Sequence, residues 1–265
     1  MCIRDRFTEL EFKTLLKSAE TKKTPATNSN GSASKDNYLA ILSKKDLDGL
    51  IKKLKKAKVL AFDTETDSLD FTQANLVGLS VATDEDNAYY IPVGHDYEGA
   101  PKQLDRDEVL KKLKPIIEKT PLIGQHLKFD RNVLANYDIH LNAIENDTML
   151  MSYVYDPTAT RHNLDAMASH YLNVKTTTFE DVAGKGVKQL TFNQIPLEKA
   201  SDYAAEDADI TFRCYSHLKP ALAKTPSLEK VLHEIELPLV PVLSDMEQAG
   251  TLVNAAALKI QSKNL

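Results

Sequence analysis

The sequence predicts an α/β fold, a mixed sheet flanked by helices, and three observations carry the prediction. Short apolar runs bounded by polar residues come first, at 59–66, 76–83 and 88–93. A short strand leading directly into a helix follows, from 122 to 134. From Asp147 to about Leu218 the chain reads as mostly helical with short breaks. Strands first and strand–helix alternation afterwards fit a sheet with helices packed on it.

Residues 1–16 read as a remnant, with ELEFKTLL (9–16) shaped like the end of a helix and 1–6 fitting no pattern. Residues 17–37 hold only Ala19, Ala26 and Ala33 as apolar side chains, too few to bury a core, so they read as a flexible linker. Order is expected from Tyr38. Ser43 with Asp46 three residues on is a capping-box-like helix start. Leu47, Leu50, Ile51 and Leu54 then share one helical face, with the lysines between them on a solvated face. VLAFDTET (59–66) reads as a buried strand. LVGLSVAT (76–83) and AYYIPV (88–93) read as two more, joined by a turn at 84–87. Residues 105–118 are helical, with Val109, Leu113 and Ile116 on one side. LIGQ (122–125) is a short strand before a helix that runs through Leu134. From Leu228 a long apolar-periodic helix is expected, interrupted by Pro238 and Pro241.

Composition narrows the class without deciding it. Over 265 residues, 42% hydrophobic and 27% charged is ordinary for a soluble globular protein. No run of 18 apolar residues offers a membrane span, and no secretory pattern opens the chain. Two cysteines, Cys2 and Cys214, make no disulfide framework and fit a reducing cytosol. The net charge of −5 argues against a global positive field for nucleic acid, but bound metals can supply positive charge where carboxylates gather.

Three acidic motifs stand out. Asp63 and Glu65 lie two apart on a strand and so point to one face. Two carboxylates there repel each other unless a cation lies between them or one is protonated. Tyr203 and Asp207 lie four apart on a predicted helix and share a face. Asp130 sits near the start of the helix after the 122–125 strand, a position also suited to a first-turn acid. Each motif alone reads more readily as surface or capping acids than as a site; their combination, in this order, points to a hard-metal site of carboxylate oxygens.

DTETD (63–67), GQHLKFDRNVL (124–134) and YAAEDAD (203–209) resemble the three motifs of the DEDD exonuclease superfamily, and a Tyr four residues before the last Asp marks its tyrosine subclass. AFDTETDSLD, ANLVGLS, YIPVGHDY, FEDVAGKG and QLTFNQI extend the likeness to the proofreading domains of bacterial DNA polymerases, from about Tyr38 to the C-terminus. The resemblance implies a ribonuclease H-like sheet and 3′→5′ hydrolysis of single-stranded or frayed 3′ ends of DNA. It implies an exonuclease domain at 38–226, with 1–16 the tail of an upstream 5′-nuclease domain and 227–265 the opening of a polymerase domain. The polymerase active site itself would lie beyond this chain.

It further implies two divalent ions, Mg²⁺, with Mn²⁺ or Zn²⁺ as substitutes. Asp63, Glu65 and Asp207 would hold one, and Asp63 and Asp130 the second, partly through water. Two metals about 3.5–4 Å apart stabilise the entering and leaving oxygens of an in-line displacement. Tyr203 would orient the attacking water with Glu65; a phenol of pKa about 10 positions a water better than it deprotonates one. Leu69, Gln125, Phe129, Arg161 and Phe179 match substrate contacts, Leu69 and Phe179 against terminal bases and Arg161 on a phosphate. Leu69 and Phe179 also suit plain core packing. His126 stands where the family often has Asn, and its single donor allows a sugar or substrate contact to survive. The expected partner is the 3′ end of a DNA primer, the setting a monomer in the bacterial cytoplasm near the nucleoid. Two alternatives stay open: an inactive scaffold of the same fold, and an RNA exonuclease such as ribonuclease D, which shares the three motifs.

Overall fold

A computed structural model describes residues 37–85 and 87–264. The expected 5′-nuclease remnant (1–16), and the linker except its last residue, lie outside the described residues.

Six strands form one mixed sheet: β1 (Tyr38–Ala40), β2 (Leu60–Thr66), β3 (Leu76–Asp84), β4 (Asn87–Pro92), β5 (Leu122–Gly124) and β6 (Ile144–Asp147). Their spatial order is β1-β4-β3-β2-β5-β6. β2, β3 and β4 run antiparallel as a meander, while β1 joins β4, β5 joins β2 and β6 joins β5 in parallel. Strands β1 and β6 were not legible in the sequence. Each is three or four residues long, and pairing with a strand well away in the chain is what makes it a strand.

Alternation along the strands divides the core. Leu60 and Phe62 of β2, Leu79 and Val81 of β3, and Tyr89 and Ile91 of β4 face one side. There they meet helix α1 (Lys44–Leu54) through Leu47, Leu50 and Leu54, and helix α2 (Arg106–Ile117) through Val109, Leu113 and Ile116. Helix α3 (Leu127–Ala135) adds Leu127, Val133 and Leu134 to the same layer. Burying a large aliphatic side chain of this kind contributes about 1.5–3 kcal/mol. Both α1 and α2 start as expected: Ser43 Oγ accepts from Asp46 N at 3.1 Å and Asp105 Oδ1 from Glu108 N at 2.9 Å.

The opposite face is built from small residues. Ala61, Ala82 and Ala88 of the strands pack with Ala205 and Ala208 of helix α7 (Leu197–Leu222), and α4 (Thr148–Tyr155) adds Met151. Alanine on both surfaces brings the helix close to the sheet. Asp63 and Glu65 keep the alternation begun by Ala61, so they point at α7. Two shorter helices, α5 (Leu164–Met167) and α6 (Phe179–Ala183), lead into it.

Beyond α7 come α8 (Pro226–Val231), a π-helical segment (Leu232–Glu236), α9 (Leu237–Ala249) and α10 (Ala255–Asn264). The expected interruption at Pro238 and Pro241 does not occur, because helical structure is unbroken from 226 to 249. A π turn, closed by Leu237 N on Leu232 O, precedes Pro238 and takes up the ring that an α turn would crowd. α9 docks on α3 through Arg131 Nη1–Asp245 Oδ1 at 2.8 Å and Asn132 Nδ2–Glu247 Oε2 at 2.8 Å. The helix bearing Asp130 is thus braced on its outer side.

Candidate active site

Close packing of α7 on the sheet brings the two distant motifs together. One carboxylate oxygen each from Asp63, Glu65 and Asp207 lies within 4.8 Å of the others. Glu65 is buried, and Asp63 and Asp207 are half-buried. Glu65 pairs across the ladder with Gly78, and that glycine is required: a Cβ there would stand 2.2 Å from the Tyr90 hydroxyl.

Asp130 is not in the 4.8 Å group but bears on it. β5 pairs only with Leu60 and Ala61, leaving the edge of β2 beyond them open. Asp130, in the first turn of α3, fills that edge: its Oδ1 accepts the Thr64 N–H at 2.8 Å and the Thr64 hydroxyl at 2.6 Å. Thr64 carries no motif signal of its own, although a threonine between two strand acids points to the other face of the strand.

The electrostatics are those of a cation site. Burial, then the charges of Asp130, Glu65 and Asp207, push the Asp63 carboxyl well above the usual range. Burial, then Asp207 and Asp130, do the same to Glu65. Burial pushes Asp130 up to about 7 against the hydrogen bonds from Thr64. Glu65 Oε1 is buried and has no hydrogen-bond partner among the described residues. Converging carboxylates with one oxygen left bare fit a hard divalent cation, so the residues present suit the metals that the resemblance implies.

Tyr203 hydrogen-bonds Asp207, one helical turn away. Burial, then the nearby carboxylates, hold its hydroxyl protonated far above the ordinary phenol range. Its ring packs against Phe179 (centroids 6.2 Å apart) and Phe192 (6.0 Å), and Phe179 stacks on Phe192 with an interplanar angle of 13°. Phe192 received no role from the sequence, although it lies in the QLTFNQI segment.

A cleft of about 590 Å³ opens beside Glu65 and Tyr203, walled by Leu69, Phe129, Phe179, Leu190 and Phe192. Leu69 is 92% exposed, which excludes core packing as its role; Phe179 is half-buried on the cleft wall. Gln125, His126 and Arg161 do not line this cleft. Gln125 is engaged at both ends of its amide: Nε2 donates to His162 O at 2.8 Å and Oε1 accepts from Thr148 Oγ1 at 2.6 Å. His126 is exposed and left-handed (φ 65°) at the N-cap of α3, and Arg161 is exposed just before α5. Two further acids of the YAAEDAD segment are not the solvated face that its composition suggests. Glu206 is buried and accepts Thr177 N at 2.7 Å; Asp209 is buried and accepts Tyr38 Oη at 2.7 Å and Arg213 Nε at 2.9 Å.

Fold and site together define the class: residues 38–223 match the 3′-5′ exonuclease family, and the chain belongs to that family. Its curated relatives include DNA polymerase I of Pseudomonas aeruginosa, 48% identical over 98% of this chain and 29% of the relative. DNA polymerase I of Borreliella burgdorferi is 38% identical over 84% of this chain and 24% of the relative. The chain therefore spans less than a third of the length of these relatives. Among solved structures it is similar to the POL domain of Pol1 from M. smegmatis, with a TM-score of 0.65 and 19% identity, over 84% of this chain and 34% of that one. Brucella melitensis NrnC with bound Mg²⁺ is similar at a TM-score of 0.51 and 20% identity, over 76% and 91%. At these identities the structural likenesses speak for the fold alone.

Proposed function

We propose that this chain is the proofreading part of a bacterial DNA polymerase I, removing nucleotides from single-stranded or frayed 3′ ends of DNA with the aid of two divalent ions, Mg²⁺ in the first instance. The observation that carries the reading is the meeting of Asp63, Glu65 and Asp207 within 4.8 Å, with Glu65 Oε1 bare and Tyr203 bonded to Asp207 at the mouth of an apolar cleft. Asp63, Glu65 and Asp207 would hold one ion, and Asp63 with Asp130 the other. When bound, the ions supply charge stabilisation to the entering and leaving oxygens of the phosphodiester.

The chain's own residues do the rest. Tyr203, held neutral by its surroundings, keeps a hydroxyl to orient the attacking water, with Glu65 as the acceptor on its other side. Leu69, Phe129 and Phe179 give the terminal bases an apolar wall that excludes water and reads no sequence. Arg161 and His126 would meet the strand outside the cleft, at its phosphates and sugars. Gln125, with both ends of its amide occupied, would act by holding the turn before α3.

We place the exonuclease domain at 38–226 and read 227–265 as the opening of the polymerase domain, a covalent partner in the whole protein together with a 5′-nuclease domain. Among the described residues no helix is long and apolar enough to cross a membrane. We place the protein in the bacterial cytoplasm, as a monomer near the nucleoid. An inactive scaffold would not need all four acids and the tyrosine. The test is digestion of a 5′-labelled single strand with Mg²⁺, as DNA and as RNA. Stepwise shortening of the DNA from its 3′ end is expected, lost in Asp207→Ala and in chelator. Faster digestion of the RNA would favour a ribonuclease, and no digestion of either would favour the scaffold.

A further inference from the structure

The start of α4 holds the start of α3, and we infer that Asp147 and Thr148 are positioning residues of the exonuclease site, acting through Asp130. The inference rests on the proposed role of Asp130 in the metal site.

The residue before α3, His126, is left-handed and makes no side-chain cap of its own. L residues with side chains rarely adopt that backbone without support. The support comes from twenty residues away. Asp147, at the end of β6, is 1% exposed. Its Oδ2 accepts Leu127 N at 2.7 Å, and its Oδ1 accepts His126 N at 3.2 Å. The same Oδ1 caps α4 by accepting Met149 N at 3.0 Å and Leu150 N at 3.3 Å. One buried carboxylate thus takes up backbone donors at the N-termini of two helices, where a negative charge is favoured.

Thr148, fully buried, completes the hold. Its single hydroxyl proton is shared between Gly124 O at 3.0 Å and Gln125 Oε1 at 2.6 Å. Gly124 closes the turn from the other side. A Cβ there would meet the Leu127 side chain at 2.3 Å and the Phe62 carbonyl at 2.9 Å. Every residue from Gly124 to Leu127 is therefore tied down, and Asp130 follows three residues later. Its Oδ1 must sit within hydrogen-bond reach of Thr64 N and Oγ1, a demand met only if the first turn of α3 is placed to a few tenths of an ångström. In Asp147→Asn, both carboxylate oxygens have been accepting from N–H groups, so the amide nitrogen faces a donor whichever way it turns.

The experiment uses the whole chain on 5′-labelled single-stranded DNA with Mg²⁺. Asp147→Asn is expected to lower kcat by about 10- to 100-fold, the usual loss when the support of a metal ligand is removed. KM should stay within about twofold, since the cleft walls are untouched. Mn²⁺ binding, followed by electron paramagnetic resonance without DNA, should weaken in the same variant. Asp130→Asn combined with Asp147→Asn should be no slower than Asp130→Asn alone, which a general loss of folding would not produce. Thr148→Val should slow the reaction and Thr148→Ser should restore it. A folded Asp147→Asn protein with wild-type kcat and Mn²⁺ binding overturns the inference, as do losses that multiply in the double variant. If Asp147→Asn does not fold, the threonine pair decides, and equal rates for Val, Ser and wild type overturn it. A wild-type chain that leaves DNA intact removes the proposed function and this inference together; an active wild type with unaffected variants removes this inference alone.

Discussion

Taking one charge out of the carboxylate cluster should stabilise the metal-free protein while stopping its reaction. Asp130 is the informative position. Burial raises its pKa from 3.8 to about 7. At about 1.4 kcal/mol for each pH unit, the difference is roughly 4 kcal/mol. The folded pKa lies above the unfolded one, so the folded state binds this proton more tightly. The stability that the proton contributes is complete below about pH 4 and is lost as pH rises through about 7. Asp130→Asn removes the titration and keeps the geometry, because one amide oxygen can accept from both Thr64 N and Thr64 Oγ1 as the carboxylate Oδ1 does. At pH 8 in chelator the variant should be the more stable protein by up to roughly 4 kcal/mol, about 8–16 °C in Tm for a chain of this size. At pH 4 the two should coincide. Mg²⁺ at a hundredfold excess over Kd should narrow the gap by up to about 2.7 kcal/mol, through the ion that Asp130 helps to hold. Urea unfolding at pH 4, 6 and 8, with and without Mg²⁺, measures all of this. A metal-free wild type as stable at pH 8 as Asp130→Asn would refute the reasoning, because burying the ionised carboxylate would then carry no cost.

Other expectations follow from single residues. Tyr203→Phe keeps the ring against Phe179 and Phe192 but removes the hydroxyl; kcat should fall about 10- to 100-fold, the order expected for a lost positioning group, with stability changed by about 1 kcal/mol. Because Tyr203 is held protonated far above the ordinary phenol range, the wild-type kcat profile should show no limb from its ionisation up to pH 10. Leu69→Ala should raise KM about tenfold on single-stranded DNA through lost base packing. Its Tm should barely move, since a side chain 92% exposed contributes within about 0.5 kcal/mol. Gly78→Ala should destabilise by about 1–3 kcal/mol, read by thermal unfolding, because the added carbon lands 2.2 Å from the Tyr90 hydroxyl, below Glu65.

Much of this site was legible in the one-dimensional chain, for reasons that differ by residue. Asp63 and Glu65 announced a shared face because strand periodicity is two, and Tyr203 and Asp207 because four residues make nearly a helical turn. The central strands and the first two helices were legible because each carries enough apolar residues to show its period. Strands Tyr38–Ala40 and Ile144–Asp147 were not: each is short, and pairing with a strand well away in the chain is what makes it a strand. Pro238 suggests a break because a local rule does not foresee a π turn placed before it, and Pro241 lies inside the α-helix that follows.

The sequence by itself pointed to the family: four acids and a tyrosine, in order, within segments that resemble a known exonuclease family. Only the tertiary structure decided how they come together. Alanines on the sheet and on α7 bring Asp207 to the two strand acids, a meeting between residues some 140 positions apart that no local pattern records. The open edge of β2 draws Asp130 onto Thr64, and a carboxylate on a different strand holds the helix that carries it. The physical reason is the range of the interactions. Periodicity and capping are set by neighbours along the chain, whereas burial and charge repulsion, which raise these carboxyls and prepare them for a cation, exist only where distant segments exclude water together.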